Sequence, residues 1–165
     1  MRIQVFGGSG FVGSEFVRQT PDCIVNARDD YKVKTYDILY FISTVSNYNV
    51  KTDPFIDIDT NLTTLMKVLE QCRDSHLTFN FISSWFVYGN VQLPAKEYSH
   101  CNPKGFYGIT KRTAEQLLIS YCETLGIKYR ILRLCNVLGP QDKKVSKKKN
   151  ALQYMINELK EGRDV

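Results

Sequence analysis

The sequence predicts an α/β fold, a Rossmann-like doubly wound parallel sheet with helices on both faces. Three observations predict it. Short apolar runs alternate with segments of helical periodicity along the 165 residues, and that alternation calls for a parallel sheet covered by helices. The first apolar run ends in a glycine-rich turn that opens a helix. The chemically informative residues fall just after the apolar runs, beyond the carboxyl ends of the strands, where such sheets bind ligands.

The elements follow in order. Met1 to Phe6 is a short apolar run and reads as a buried strand. Gly7 to Gly13 is the glycine turn, Ser14 to Gln19 starts a helix, and Pro21-Asp22 breaks it. Cys23 to Ala27 is a second strand and Arg28 to Tyr36 a polar loop. Ile38 to Ser43 is a third strand, and Asn47 to Pro54 a loop. Asp57 to Asp74 carries Leu62, Leu65, Met66 and Leu69 at helical spacing, with Asp59 or Thr60 as a cap. Leu77 to Ile82 is a strand, followed by a long loop from Ser83 to Gly105 of the kind that usually carries function. Tyr107 to Leu125 is a helix ended by Gly126, Ile127 to Leu134 a strand, and Ala151 to Lys160 a last helix.

Composition is that of an ordinary soluble domain, 43% hydrophobic and 24% charged. The net charge of +5 resides in the lysine run Lys143 to Lys149. That run is a solvated loop or a phosphate-attracting one. No nucleic-acid motif accompanies it, so no nucleic-acid partner is expected. The five cysteines show no CxxC spacing, which argues against zinc and against a disulfide framework. Cys23, Cys122 and Cys135 lie among apolar residues and read as buried thiols of a cytoplasmic protein. No signal peptide and no membrane span are expected.

Gly7, Gly10 and Gly13 recur at intervals of three between a strand and a helix. Small residues there let the backbone approach a pyrophosphate, and the helix N-terminus offers amides and a positive dipole end. A tight packing turn is the alternative. After the second strand, Arg28 precedes Asp29 and Asp30. An arginine there favours a 2′-phosphate and a carboxylate a free ribose, so the dinucleotide is NADP or NAD, with Arg28 leaning to NADP. Tyr107 and Lys111 share a helix face, and a lysine cation beside a phenol favours the phenolate. Ser84 sits just past a strand, where its hydroxyl can hold a substrate oxygen or simply turn the chain. Asn61 and Asn136 are amides that serve a ligand, a cap or a turn.

Taken in order, GGSGFVG, SSWFVYG, YGITK and LRLCNVLGP resemble the extended short-chain dehydrogenase/reductase family, in particular its NAD-dependent epimerase/dehydratase group. The resemblance spans Met1 to Pro140. It implies that Gly7, Gly10, Phe11, Val12 and Gly13 hold the cofactor pyrophosphate. It implies that Ser43, Thr44 and Leu134 lie beside the cofactor. Ser84, Tyr107 and Lys111 match the catalytic serine, tyrosine and lysine, the last two also touching the cofactor. Asn61 and Asn136 match substrate-side residues. The reaction implied is hydride and proton transfer at a carbon of a nucleotide sugar, by an epimerase or a ketoreductase.

Three departures qualify the match. Arg28 to Tyr36 is nine residues, too short for a helical crossover, so one α–β unit after the second strand is expected to be missing and the adenine end more open. Ser84-Trp85-Phe86 stands where the dehydratase branch has Thr-Asp-Glu, so water elimination is not expected. The chain reaches only Val165, so residues 1–140 form the catalytic domain and 141–165 begin a substrate-binding region that is mostly lacking. A dinucleotide-binding module without turnover, or an inactive fragment, is the competing reading. A homodimer through the helices 57–74 and 107–125 is expected by analogy alone.

Overall fold

Five strands form one parallel sheet in the order β2-β1-β3-β4-β5. The computed structural model describes residues 3–34, 36–44, 46–73, 75–139 and 151–164. The strands are β1 (Ile3–Phe6), β2 (Ile24–Val25), β3 (Asp37–Tyr40), β4 (Thr78–Ser84) and β5 (Lys128–Leu134). The helices are α1 (Phe11–Gln19), α2 (Phe55–Ile58), α3 (Thr64–Glu70), α4 (Phe106–Leu125) and α5 (Ala151–Lys160). The chain leaves β1 for β2 on one side and returns to β3 on the other. That reversal opens a crevice beyond the carboxyl end of β1.

The core follows from two periodicities. Ile38 with Tyr40 and Phe79 with Phe81 alternate along their strands and turn one face inward. Leu65, Val68 and Leu69 of α3, and Ala114 and Leu118 of α4, meet that face at helical spacing. All of these are buried, and each large side chain contributes about 1.5–3 kcal/mol by leaving water. The opposite face carries α1, beside which Phe16, Leu39, Ile82, Leu132 and Leu138 line an apolar groove of about 370 Å3.

The missing α–β unit is visible as a crossover without a helix. Between β2 and β3 the described residues 26–34 and 36 are irregular. Gln4, fully buried in β1, ties this loop down. Its Nε2 donates to Asn26 Oδ1 at 2.6 Å and to the Lys32 carbonyl at 2.7 Å, and its Oε1 accepts from the Lys34 amide at 2.8 Å. One polar side chain of the sheet thus replaces the contacts a crossover helix would make.

Two expectations are corrected. The helix foreseen over Asp57 to Asp74 starts earlier, at Phe55, and is divided by a π-helical turn over Asp59–Thr63. Asn61, at the centre of that turn, is buried and bonded inward, which an uninterrupted α-helical pattern does not foresee. Among the cysteines, Cys72 and Cys122 are buried, Cys23 is half-buried, and Cys135 is exposed. Cys135 follows β5, the edge strand among the described residues. The lysine run and the boundary expected at residue 140 lie outside the described residues. No helix among the described residues is long and apolar enough to cross a membrane.

Candidate active site

The carboxyl ends of β1, β3, β4 and β5 meet at one cleft of about 390 Å3. Its floor is the glycine turn, with Gly7, Gly10, Phe11, Val12 and Gly13. The parallel register brings Ser84 level with Leu134, so the ends of β4 and β5 deliver both to the same wall. Ser43, Thr44, Tyr107 and Asn136 complete the lining. A second chamber of about 350 Å3 shares Gly7, Gly10, Phe41 and Ser43 with the first and runs out to Asn26, Arg28, Asp29 and Asp30.

The glycine turn is tight. A Cβ on Gly13 would lie 2.3 Å from the Gly7 carbonyl oxygen, so α1 can approach β1 only without a side chain there. A Cβ on Gly10 would lie 3.3 Å from that same oxygen, a tight contact with backbone. Gly10 is the N-cap of α1 and supplies no side-chain cap to the first-turn amides. Those amides and the positive end of the helix dipole face the cleft, an anion-binding arrangement. A dinucleotide pyrophosphate is chemically suited to such a cradle, and Ser43, Thr44 and Leu134 line the same cleft.

Tyr107 stands at the start of α4. Ser43 Oγ donates to its phenol oxygen at 3.4 Å, and the Phe86 ring meets the Tyr107 ring edge-on at 5.8 Å. Gly108 permits this contact, since a Cβ there would lie 3.0 Å from the Phe86 carbonyl oxygen. Ser84 caps the short 3-10 turn Trp85–Val87, its Oγ accepting from the Phe86 amide at 3.3 Å. Trp85 Nε1 donates across the cleft to Asn136 Oδ1 at 3.3 Å.

Lys111 lies behind the wall. It is 1% exposed, donates to the Ile82 carbonyl at 2.9 Å, and its Nζ sits 4.2 Å over the Phe81 ring. Burial pulls its pKa down to about 7, against an opposing pull from the Glu115 carboxylate. Asn61 is likewise inside the wall and spends its side chain there. Its Oδ1 accepts from the Thr44 amide at 3.1 Å, and its Nδ2 donates to Thr44 Oγ1 and Thr110 Oγ1, both at 3.0 Å. Thr110 Oγ1 donates in turn to the Tyr107 carbonyl at 3.1 Å. Asn61 therefore connects the cleft floor to the first turn of α4 and is not among the cleft-lining residues. Asp57 extends the same network, accepting from Thr44 Oγ1 and, at 3.4 Å, from Asn49 Nδ2.

Of the residues singled out from sequence, eleven line one chamber or both: Gly7, Gly10, Phe11, Val12, Gly13, Ser43, Thr44, Ser84, Tyr107, Leu134 and Asn136. Arg28 lines the outer chamber alone, while Lys111 and Asn61 support the walls. Sequence reasoning missed Trp85, Phe86, Ser83 and Glu115. The aromatic pair after Ser84 was the available signal for the first two. Among the described residues no group of three or more His, Cys, Asp or Glu side chains is placed to hold a metal ion.

The family model for the NAD dependent epimerase/dehydratase family matches residues 22–165. The chain belongs to this family. A putative UDP-glucose 4-epimerase of Methanocaldococcus jannaschii is 32% identical over 171 aligned positions, which cover 83% of the chain and 56% of that protein. Among solved structures, the UDP-N-acetylglucosamine 4-epimerase of Methanobrevibacter ruminantium, in complex with UDP-N-acetylmuramic acid, superposes with a TM-score of 0.85 at 23% identity. That match covers 99% of the chain and 64% of the other. The UDP-glucose 4-epimerase of Thermus thermophilus, in complex with NAD, gives a TM-score of 0.80 at 24% identity, covering 100% of the chain and 64% of the other. The shared fold is that of the family's parallel sheet. The chain spans about half to two thirds of the length of these proteins.

Proposed function

We propose that this chain supplies the dinucleotide-binding and catalytic part of a nucleotide-sugar epimerase or ketoreductase. One observation carries the reading: the glycine cradle, Ser84 and Tyr107 line a single cleft at the strand ends. A bound nicotinamide dinucleotide would accept and return hydride at the substrate carbon. Gly10, Val12 and the first-turn amides of α1 hold its pyrophosphate, and Ser43, Thr44 and Leu134 line its nicotinamide end. Tyr107 Oη moves the hydroxyl proton of the substrate, and Ser84 Oγ steadies the same oxygen. Lys111 stands buried behind the wall, one helical turn beyond Tyr107, with its Nζ bonded to the Ile82 carbonyl. Asn136, tethered by Trp85, faces the substrate, while Asn61 positions Thr44 and the start of α4.

The cofactor is NAD or NADP. Arg28 at the outer chamber is the residue that would read a 2′-phosphate, and titration with both dinucleotides separates the two. A homodimer through the helices 57–74 and 107–125 belongs to the same proposal. Ile109 and Leu117 of α4 are exposed apolar residues that support it.

Tyr107→Phe tests the chemistry, and Gly10→Leu tests the cradle. We expect Tyr107→Phe to lower turnover of a UDP-hexose by about 10²- to 10⁴-fold with dinucleotide affinity unchanged. Full turnover in that variant would refute the assignment. Gly10→Leu crowds the Gly7 carbonyl oxygen, so dinucleotide binding is read on protein shown to be folded by circular dichroism, where it should be lost. Unchanged affinity would reduce the loop to a packing turn.

A further inference from the structure

Glu115 is a fully buried carboxylate on α4 that plays no part in the proposed proton transfer. It lies two turns beyond Tyr107 and one turn beyond Lys111, on the same face of the helix. Four donors from three elements converge on it. Ser83 of β4 donates from Oγ to Glu115 Oε1 at 2.6 Å. Arg133 of β5 donates from Nε to Oε1 at 3.0 Å and from Nη2 to Oε2 at 2.9 Å, a two-point contact. Arg112, one turn back on α4, donates to Oε2 at 2.8 Å.

The contacts run on from there into the site. Ser83 immediately precedes Ser84. Arg133 also donates to the Glu97 carbonyl at 3.1 Å and stacks over the Tyr88 ring at 4.7 Å. Both of those residues belong to the long loop that starts at Ser84 and returns to α4. We infer that Glu115 is a positioning residue of the site: its carboxylate pins the serine end of β4, anchors the loop beyond it through Arg133, and balances the ammonium of Lys111.

An uncompensated carboxylate at this depth would be costly, so the donors are a condition of the charge being there. Burial raises the pKa of Glu115, but Arg133, Ser83 and Arg112 outweigh it, and the group stays ionised through neutral pH. The charge acting on Lys111 is that of Glu115. Tyr107, Lys111 and Glu115 follow one another at i, i+4 spacing on α4, Arg133 of β5 and Arg112 are bonded to Glu115, and α2, which packs on α4, carries Asp57. β4 contributes no charge, only the Ile82 carbonyl, the Phe81 ring and the hydroxyls of Ser83 and Ser84. Burial removes stability from the Lys111 ammonium, and the field of Glu115 restores part of it.

The value of this arrangement to catalysis rests on the proposed role of Tyr107 and Lys111, but its test does not. The experiment is a titration of the full chain labelled with 13Cε-lysine and followed by NMR, with the Lys111 resonance assigned by its loss in Lys111→Met. In Glu115→Gln the Lys111 midpoint should fall by about one pH unit, a tenfold shift of the charged-to-neutral ratio. Arg112→Gln removes a half-exposed cation beside the carboxylate and should move the midpoint the other way, by about half a unit. The second variant keeps the test open should the first not fold. Unchanged midpoints in the folded variants would overturn the inference. Loss of turnover or of dinucleotide binding in the unsubstituted chain would instead count against the proposed function and leave the titration readable.

Discussion

Tyr40 shows how a single residue can work against the fold that holds it. Its ring lies between those of Phe6, Phe79 and Phe81 at 5.7–6.3 Å, fully buried. Its hydroxyl has no hydrogen-bond partner among the described residues, and burial pushes its pKa upward. A buried hydroxyl left unpaired costs about 1–3 kcal/mol, while the ring contacts remain without it. Tyr40→Phe should therefore stabilise the chain by about 1–2 kcal/mol, read as a higher urea midpoint at constant m-value. A lower midpoint would show that the oxygen has a partner. Such balances are illegible in the sequence, where Tyr40 is simply one more aromatic residue in an apolar run. That Ser84, Tyr107 and the glycines meet at one cleft was legible from their joint order after the apolar runs. The burial of Lys111 and Asn61 was not. Periodicity says which residues share a face, not how deep that face lies. Glu115 was invisible because its main partner, Arg133, reaches its helix from strand β5.

At the scale of elements, the apolar runs and helical spacings located the five strands and the longer helices, but not the 3-10 turns Ser46–Lys51 and Trp85–Val87, which lie in stretches without periodicity. The short second crossover was readable as a deletion from its length. How the fold tolerates the deletion was not, since that depends on where the Gln4 side chain goes. Three hydrogen bonds from Gln4 take the place of a helix packed on the sheet. Gln4→Leu keeps the volume and removes all three. It should destabilise the chain by about 1–3 kcal/mol and abolish the protection of the Lys34 amide against hydrogen exchange. Protection at Lys34 equal to that of the unsubstituted chain would mean that Tyr31 and Val33, which also touch the core, hold the loop unaided. Because Asn26, Arg28 and Asp30 ride on this loop and line the outer chamber, dinucleotide affinity should fall in the same variant. The π turn at Asp59–Thr63 belongs to the same class of feature. It is set by what Asn61 must reach, not by the helix that contains it.

The whole molecule carries a pH signature that follows from what it buries. Lys111 releases its proton near pH 7 when folded, against an ordinary value of 10.5. Between those limits the unfolded chain binds a proton that the folded chain has lost, so stability rises with pH. Burial raises the Cys72 and Cys122 thiols to about 12 and about 11, from an ordinary 9.0. Above 9 the folded chain keeps protons that the unfolded thiols release, so these two groups make stability fall with pH. Two such groups then outweigh the single lysine, and Tyr40 adds to them above its ordinary 10.0. On the acid side Glu115 sits below its ordinary 4.5, so its contribution is present above that value and is lost as pH falls through the carboxylate range. Stability should accordingly climb from pH 7 to a maximum near pH 9, with a slope of at most about 1.4 kcal/mol per pH unit, and decline beyond it. Urea midpoints measured under reducing conditions at about pH 6, 7, 8, 9 and 10.5 would trace the curve. In Lys111→Met the rise between 7 and 9 should vanish while the decline above 9 persists, because the thiols are untouched. A midpoint that stays level from 7 to 9 in the unsubstituted chain would mean that Lys111 keeps its proton in the folded state, and with it a buried ammonium through the whole working range of the site.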